Sequence, residues 1–164
     1  MDVELVEATL AEKAALRRLL ELYQYDFTEF TDEDVGADGR FGYGYLDAYL
    51  DEAHRHGFLI KAGGHLAGLV LVRRAASVDD DGDVMDMAEF FVMRKYRRRR
   101  VGSEAARLAF DRFAGRWEVR EMAPNRPAQA FWRRVIGDYT GGRFDERRLD
   151  DGRWLVQSFD SSLR

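Results

Sequence analysis

Cysteine is absent from the 164 residues. That excludes disulfides, thiolate-ligated zinc, iron–sulfur clusters and any acyl intermediate carried on sulfur. Proline occurs only twice among 15 glycines, so the chain is neither collagen-like nor a Pro-rich linker. Long apolar runs are also missing. The longest, around Leu69–Val72, falls far short of the roughly 20 residues a membrane helix needs. Residues 1–10 alternate acids with aliphatics and lack a basic stretch followed by an apolar one, so no signal peptide is expected and a soluble cytoplasmic protein is the default. Lysine is scarce, at 3 against 23 arginines.

The residues that are present describe a folded chain. Hydrophobic residues make up 46% and aromatics 13%, too apolar for disorder, and this length predicts one domain over residues 1–164. The net charge of −4 argues against general nucleic-acid binding. Positive charge is nevertheless concentrated in one place: six of the seven residues Arg94–Arg100 are basic, and without them 20 basic residues face 30 acidic ones, a balance of −10.

Periodicity predicts the order of elements. Val3, Leu5 and Val6 suggest a short strand, and Thr9–Glu12 has the capping-box pattern ahead of a long amphipathic helix through Phe27. Residues 26–45 suggest an ordered loop, followed by a short helix over Leu46–Ala53. Strands are predicted at His56–Lys61, Leu66–Arg73, Val84–Met93 and Trp117–Met122, with Gly63-Gly64 as a hairpin turn and helices at Val101–Ala114 and Pro127–Ile136. Phe144–Leu149 and Trp154–Phe159 read as a last hairpin turning at Asp150-Asp151-Gly152. The sum is one mixed α/β (α+β) domain.

The segment from Glu89 to Ala106 places an apolar strand, a basic turn, a single glycine and a helix in succession. A helix N-terminus has unpaired amides and partial positive charge, glycine permits close approach, and arginine offers paired donors. Together these suit a diphosphate. The rival readings of the run are a nucleic-acid patch, a localisation signal or a solvated face.

This segment resembles the pyrophosphate loop of the GNAT acyl-CoA N-acetyltransferase family, Gln/Arg-x-x-Gly-x-Gly/Ala, with Arg97 at its first position and Gly102 at its last. Arg100 stands where the family prefers its first glycine. A left-handed arginine costs roughly 1 kcal/mol or more, so an ordinary turn conformation is expected there. Asn125 followed by Ala128, Phe131 and Trp132 resembles the family's Asn-x-x-Ala signature. The resemblance implies a central sheet of about seven strands, a splayed fourth and fifth strand and four flanking helices. It implies acetyl-CoA as cosubstrate, with no metal. Arg97, Arg98, Arg99, Arg100, Val101, Gly102 and Ser103 would hold the phosphates, and Val92, Asn125 and Trp132 the pantetheine arm and thioester. Asn125 also reads plainly as a helix N-cap.

Family members often carry a glutamate three residues before the position of Val92, which makes Glu89 the first candidate base and Asp86 the second. Burial in an apolar strand would raise the pKa of such a carboxylate toward a useful base; the alternative is a structural ion pair with arginine. The family's tyrosine acid, seven residues after the asparagine, is replaced here by Trp132, an indole that donates a hydrogen bond but no practical proton. Water then protonates the leaving thiolate, and an acyl-CoA-binding module without turnover is the alternative.

The implied acceptor is a primary amine of a small molecule or peptide. Asp26, Glu29, Asp32, Glu33 and Asp34 among aromatics suggest a cationic one, or else a solvated acidic loop. His54, His56 and His65 lack the partners of a metal site, and Asp79–Asp83 has the wrong spacing for calcium. Trp154, Val156 and Phe159 suit either a homodimer contact or ordinary sheet packing.

Overall fold

The computed structural model describes residues 1–149 and 152–163. The chain runs through β1 (Val3–Glu7), a 3-10 turn at Leu10–Glu12, α1 (Lys13–Phe27), α2 (Ala48–Asp51), β2 (Arg55–Ala62), β3 (His65–Ala76) and β4 (Asp83–Val92). After a second 3-10 turn at Arg94–Tyr96 come α3 (Val101–Arg112), β5 (Arg116–Met122), α4 (Arg126–Thr140), β6 (Asp145–Leu149) and β7 (Trp154–Asp160). The predicted hairpin turn at Asp150-Asp151 lies outside the described residues.

Seven strands form one sheet in the order β1-β2-β3-β4-β5-β7-β6. Every neighbouring pair is antiparallel except β4 and β5, which are parallel. Alternation sends Phe58, Ile60, Val70 and Val72 to one face, where they pack against Ala105, Ala109 and Phe110 of α3 and Trp132, Val135 and Ile136 of α4. Leu59, Leu69 and Leu71 go to the other face, against Leu16, Leu19 and Leu20 of α1 and Tyr49 of α2. Each face is thus covered by two helices, as a sheet with near-continuous apolar strands requires.

The local signals behave as their chemistry dictates. Glu12 Oε2 accepts from Thr9 N at 2.8 Å and Thr9 Oγ1 accepts from Ala11 N at 3.2 Å, so the capping box forms ahead of α1. Gly63 and Gly64 take φ of 57° and 78° in the β2–β3 turn. The second helix is shorter than its predicted eight residues. Only Ala48–Asp51 is helical, flanked by turns. The dimer reading of the last hairpin fails for two of its three residues. Val156 and Phe159 are buried within their own chain, leaving Trp154 as the exposed one of the three. Among the described residues no helix is long and apolar enough to cross a membrane.

One buried acid is out of balance. Glu121 on β5 is 4% exposed, and neither of its carboxylate oxygens meets a donor at hydrogen-bond geometry, because the neighbouring Gln157 amide donates to Glu146 instead at 2.9 Å. Burial, aided by the Glu146 charge, pushes its pKa up to about 8. The folded chain therefore holds a proton that the unfolded chain releases above pH 4.5. Stability from this group is complete below that pH and declines as pH rises toward 8, by up to about 3 kcal/mol at pH 7. Glu121→Gln should raise the urea midpoint at pH 7–8 and flatten its dependence on pH between 5 and 8. An unchanged slope would show that the acid is not protonated in the fold.

Candidate active site

The ladder between β4 and β5 has only two register pairs, Met85↔Trp117 and Asp86↔Glu118. Beyond Asp86 the two parallel strands separate, β5 staying with β7 along its whole length while β4 stays with β3. The backbone of β4 on that side is left open to a wedge-shaped slot.

Within the same stretch β4 carries a bulge. Leu71 faces Glu89 and Val72 faces Met87, so Ala88 is an extra residue. Three residues apart, Asp86 and Glu89 would point to opposite faces of a regular strand; the bulge brings both to the α1 side, where they line one cavity of about 330 Å³. Glu89 Oε1 accepts from Tyr43 Oη at 3.1 Å. Burial pushes the Glu89 carboxyl above its ordinary 4.5, against the hydrogen bonds from Tyr23 and Tyr43 and with help from the Asp86 charge. No arginine pairs with Glu89 among the described residues. Asp86 differs: it is 3% exposed and flanked by arginines, accepting from Arg73 Nε at 2.8 Å with Arg120 Nε at 3.6 Å. The ion-pair alternative weighed for Glu89 is therefore realised at Asp86.

At the far end of β4 the chain turns through Arg97–Arg100 into α3. Arg98 and Arg100 have φ of 60° and 65°, both left-handed, with Arg99 between them outside that region. The expected ordinary conformation of Arg100 is thus incorrect. Arg100 is the N-cap of α3, and its carbonyl accepts from both Glu104 N at 3.0 Å and Ser103 Oγ at 2.9 Å, which helps to offset the strain. Among the described residues none accepts a hydrogen bond from the amides of residues 98–103. Alternating handedness gathers such amides into an anion-binding concavity at the positive end of the helix. Gly102 completes it. A Cβ there would lie 3.2 Å from the Phe131 ring and 3.6 Å from Val92 Cγ2.

Arg98, Arg99 and Arg100 are exposed at this loop. Arg97 is engaged elsewhere, donating from Nε to Val92 O at 2.7 Å and from Nη2 to Asp26 Oδ2 at 2.5 Å. Arg94 also holds Asp26, at 2.8 Å. Burial would raise the Asp26 pKa, but the hydrogen bonds from Arg97 and Arg94 outweigh it and hold this carboxyl below its ordinary value.

Asn125 caps α4, its Oδ1 accepting from Ala128 N at 3.1 Å. Gln129, unmarked by the sequence, locks the same turn by donating to Met122 O and Ala123 O. Trp132 is buried in an aromatic cluster, 4.9 Å from the rings of Phe90 and Phe131, so it buttresses the wall of the slot. The cavity at Glu89 also draws on Tyr49, Arg55, Arg73, Arg120 and Trp154, none of them anticipated as site residues. Only a fold that brings β3, β5 and β7 beside β4 reveals them. Of the 26–45 loop, Tyr43 and Tyr45 line this cavity but the acids do not: Asp26 is bound to Arg94 and Arg97, while Glu29, Asp32, Glu33 and Asp34 face solvent. The expectation of a cationic acceptor rested on acids and aromatics together; the aromatics Tyr43 and Tyr45 are at the cavity and those acids are not. A larger hollow of about 460 Å³ lies beside α1, sharing Tyr43 but neither carboxylate.

The model of the acetyltransferase (GNAT) family matches residues 16–137. The chain belongs to the GNAT acetyltransferase family. No curated protein sequence matches it, but solved structures do. An acetyltransferase from Thermus thermophilus aligns with a TM-score of 0.70 at 14% identity, over 98% of this chain and 97% of that one. NAA60 from Arabidopsis thaliana, solved with a bisubstrate analogue, aligns at 0.64 and 10% identity over 97% and 98%. An aminoglycoside acetyltransferase from a soil metagenomic sample, solved with sisomicin, aligns at 0.61 and 12% identity over 81% and 86%. These likenesses establish a shared fold.

Acetyl-CoA is the cosubstrate of GNAT enzymes; at the start of α3 this chain sets the exposed Arg98, Arg99 and Arg100 beside six amides that have no acceptor among the described residues. Arg100→Gly should relieve the left-handed strain and stabilise the fold by about 0.5–1 kcal/mol, because glycine adopts that region freely while also loosening the unfolded chain. Urea unfolding checks this; a loss of stability would show that the arginine side chain is itself holding the turn.

Proposed function

We propose that residues 1–164 act as one N-acetyltransferase domain moving an acetyl group from acetyl-CoA to a primary amine of a small molecule or peptide. The observation that carries this reading is the Ala88 bulge, which turns Glu89 into the cavity where β4 parts from β5. Acetyl-CoA supplies an acyl group already activated as a thioester. The amides of residues 98–103, with Arg98, Arg99 and Arg100, hold the phosphates, and Ser103 adds its place in the first turn of α3. Arg97 reaches the same end of β4 once it leaves Asp26. Val92 offers its backbone to the thioester end, Asn125 faces the pantetheine arm from the α4 side, and Trp132 supports that wall.

Glu89 is the general base. Its raised pKa places it nearer the range in which it can take a proton from an ammonium without being inert. Tyr43 fixes the carboxylate by donating to Oε1, and Tyr23 adds a second hydroxyl beside it. With no cysteine in the chain, the amine attacks the acyl carbon directly, Glu89 takes the amine proton, and water protonates the departing thiolate. Asp86, held by Arg73 and Arg120, orients those arginines.

Calorimetry should show acetyl-CoA binding at micromolar concentration, and a thiol-release screen across amines should find turnover. Glu89→Gln should lower kcat about 100-fold or more at neutral pH while leaving acetyl-CoA affinity unchanged. The sign follows from the upward shift: kcat/KM should climb with pH along a limb displaced above the ordinary carboxylate range, and that limb should vanish in the variant. Binding without thiol release from any amine would favour the acyl-CoA-binding module, and an unchanged rate in Glu89→Gln would remove Glu89 from the chemistry.

A further inference from the structure

The cavity beside Glu89 carries a charge pattern that base catalysis alone does not require. Three adjacent strands present Arg73, Asp86 and Arg120 in a row: Arg73 on β3 stands opposite Asp86 on β4, and Arg120 lies two residues past Asp86's register partner Glu118 on β5. Because β4 and β5 run parallel, those two residues carry Arg120 past the last paired position and into the opening of the slot.

One carboxylate thus stands between two guanidinium groups, leaving a surplus of one positive charge. Asp86 meets each arginine through Nε, at 2.8 Å and 3.6 Å. Among the described residues no acceptor takes a hydrogen bond from the Nη atoms of either arginine. Their side chains remain 37% and 31% exposed, so Asp86 orients them without capping them. Arg55, the third arginine of the cavity, is committed to Glu52 at 3.0 Å and to the faces of Tyr45 and Tyr49. Guanidinium groups held by Nε with free Nη atoms match the planar fork of a carboxylate.

Resting on the transferase reading above, we propose that the acceptor amine also carries a carboxylate, as an amino acid or short peptide does, and that Arg73 and Arg120 hold this carboxylate while the amine faces Glu89. From Asp86 to Glu89 the strand advances by roughly 10 Å at most, less for the bulge. Lysine acetylated on its side chain, or a dipeptide acetylated at its N-terminus, spans such a gap in an extended form. A diamine or aminoglycoside gains nothing from the two arginines and meets their repulsion.

Matched probes test this in the intact protein. L-Lysine is compared with 1,5-diaminopentane, and glycylglycine with glycylglycinamide, each titrated calorimetrically with and without saturating CoA. The carboxylate-bearing member should bind at least ten-fold tighter in both pairs. Arg120→Gln should bring each pair to within about two-fold while acetyl-CoA affinity stays as in the parent. Arg120→Lys, which keeps the charge but not the fork, should fall between. Equal binding within the pairs, no binding by either carboxylate-bearing probe, or a preference that survives Arg120→Gln overturns the proposal. Tighter binding of 2-aminoethyl phosphate than of either carboxylate-bearing probe overturns it as well, in favour of a phosphate. Thiol release with the same probes reports separately on catalysis: a ten-fold carboxylate preference in binding without any thiol release defeats the transferase reading and leaves the anion site standing.

Discussion

The arrangement depends on a withheld set of hydrogen bonds, those that β4 and β5 do not make beyond Asp86. A buried strand with one unpaired edge is ordinarily a liability, since each orphaned amide or carbonyl carries a desolvation penalty. Here the unpaired edge can exist because each strand is secured on its other side, β4 by β3 and β5 by β7. The sheet behaves as two ribbons joined at one end. The candidate site lies along the opening between them: the carboxylate beside the bulge, the arginine turn at the tip of one ribbon and the Asn125 cap at the tip of the other.

The bulge and the loop are two local distortions answering different demands. At Ala88 one extra residue changes which face Glu89 occupies, moving a carboxylate from one side of the sheet to the other at the cost of an interrupted ladder. At Arg98 and Arg100 the distortion is in dihedral space, and its effect is to leave consecutive amides unspent. Both distortions sit within the thirteen residues from Ala88 to Arg100, which agrees with the tendency of backbone strain to gather where a protein handles ligands.

Much of this is legible from the residues. The order of strands and helices follows from apolar spacing and from Gly63-Gly64, and the succession of strand, basic turn, glycine and helix is legible from Glu89 to Ala106. What escapes has physical reasons. The face of Glu89 depends on register against β3, and alternation within β4 gives no sign of an extra residue. Steric cost alone argues against a left-handed Arg100, whereas its carbonyl gains two acceptor bonds in the folded loop. Phe159 looks like a free contact in the sequence, but it packs into the core cluster with Phe110 and Trp117. Asp26 lies 68 and 71 positions from Arg94 and Arg97, and no local pattern could pair them. Arg73 and Arg120 need three strands set side by side.

The Asp26 clasp changes what affinity at the loop means. Arg97 already has an internal counter-ion in Asp26 and a second acceptor in Val92 O, so any anion arriving there would compete with a carboxylate rather than meet a bare cation. The free energy of such an exchange is a difference between two similar terms and is correspondingly small, whereas the amides of residues 98–103 have no competing acceptor among the described residues. The same counter-ion joins the end of α1 to the end of β4. Two arginines from the turn after β4 thus meet one carboxylate at the end of α1, and the two walls of the frame share a single clasp.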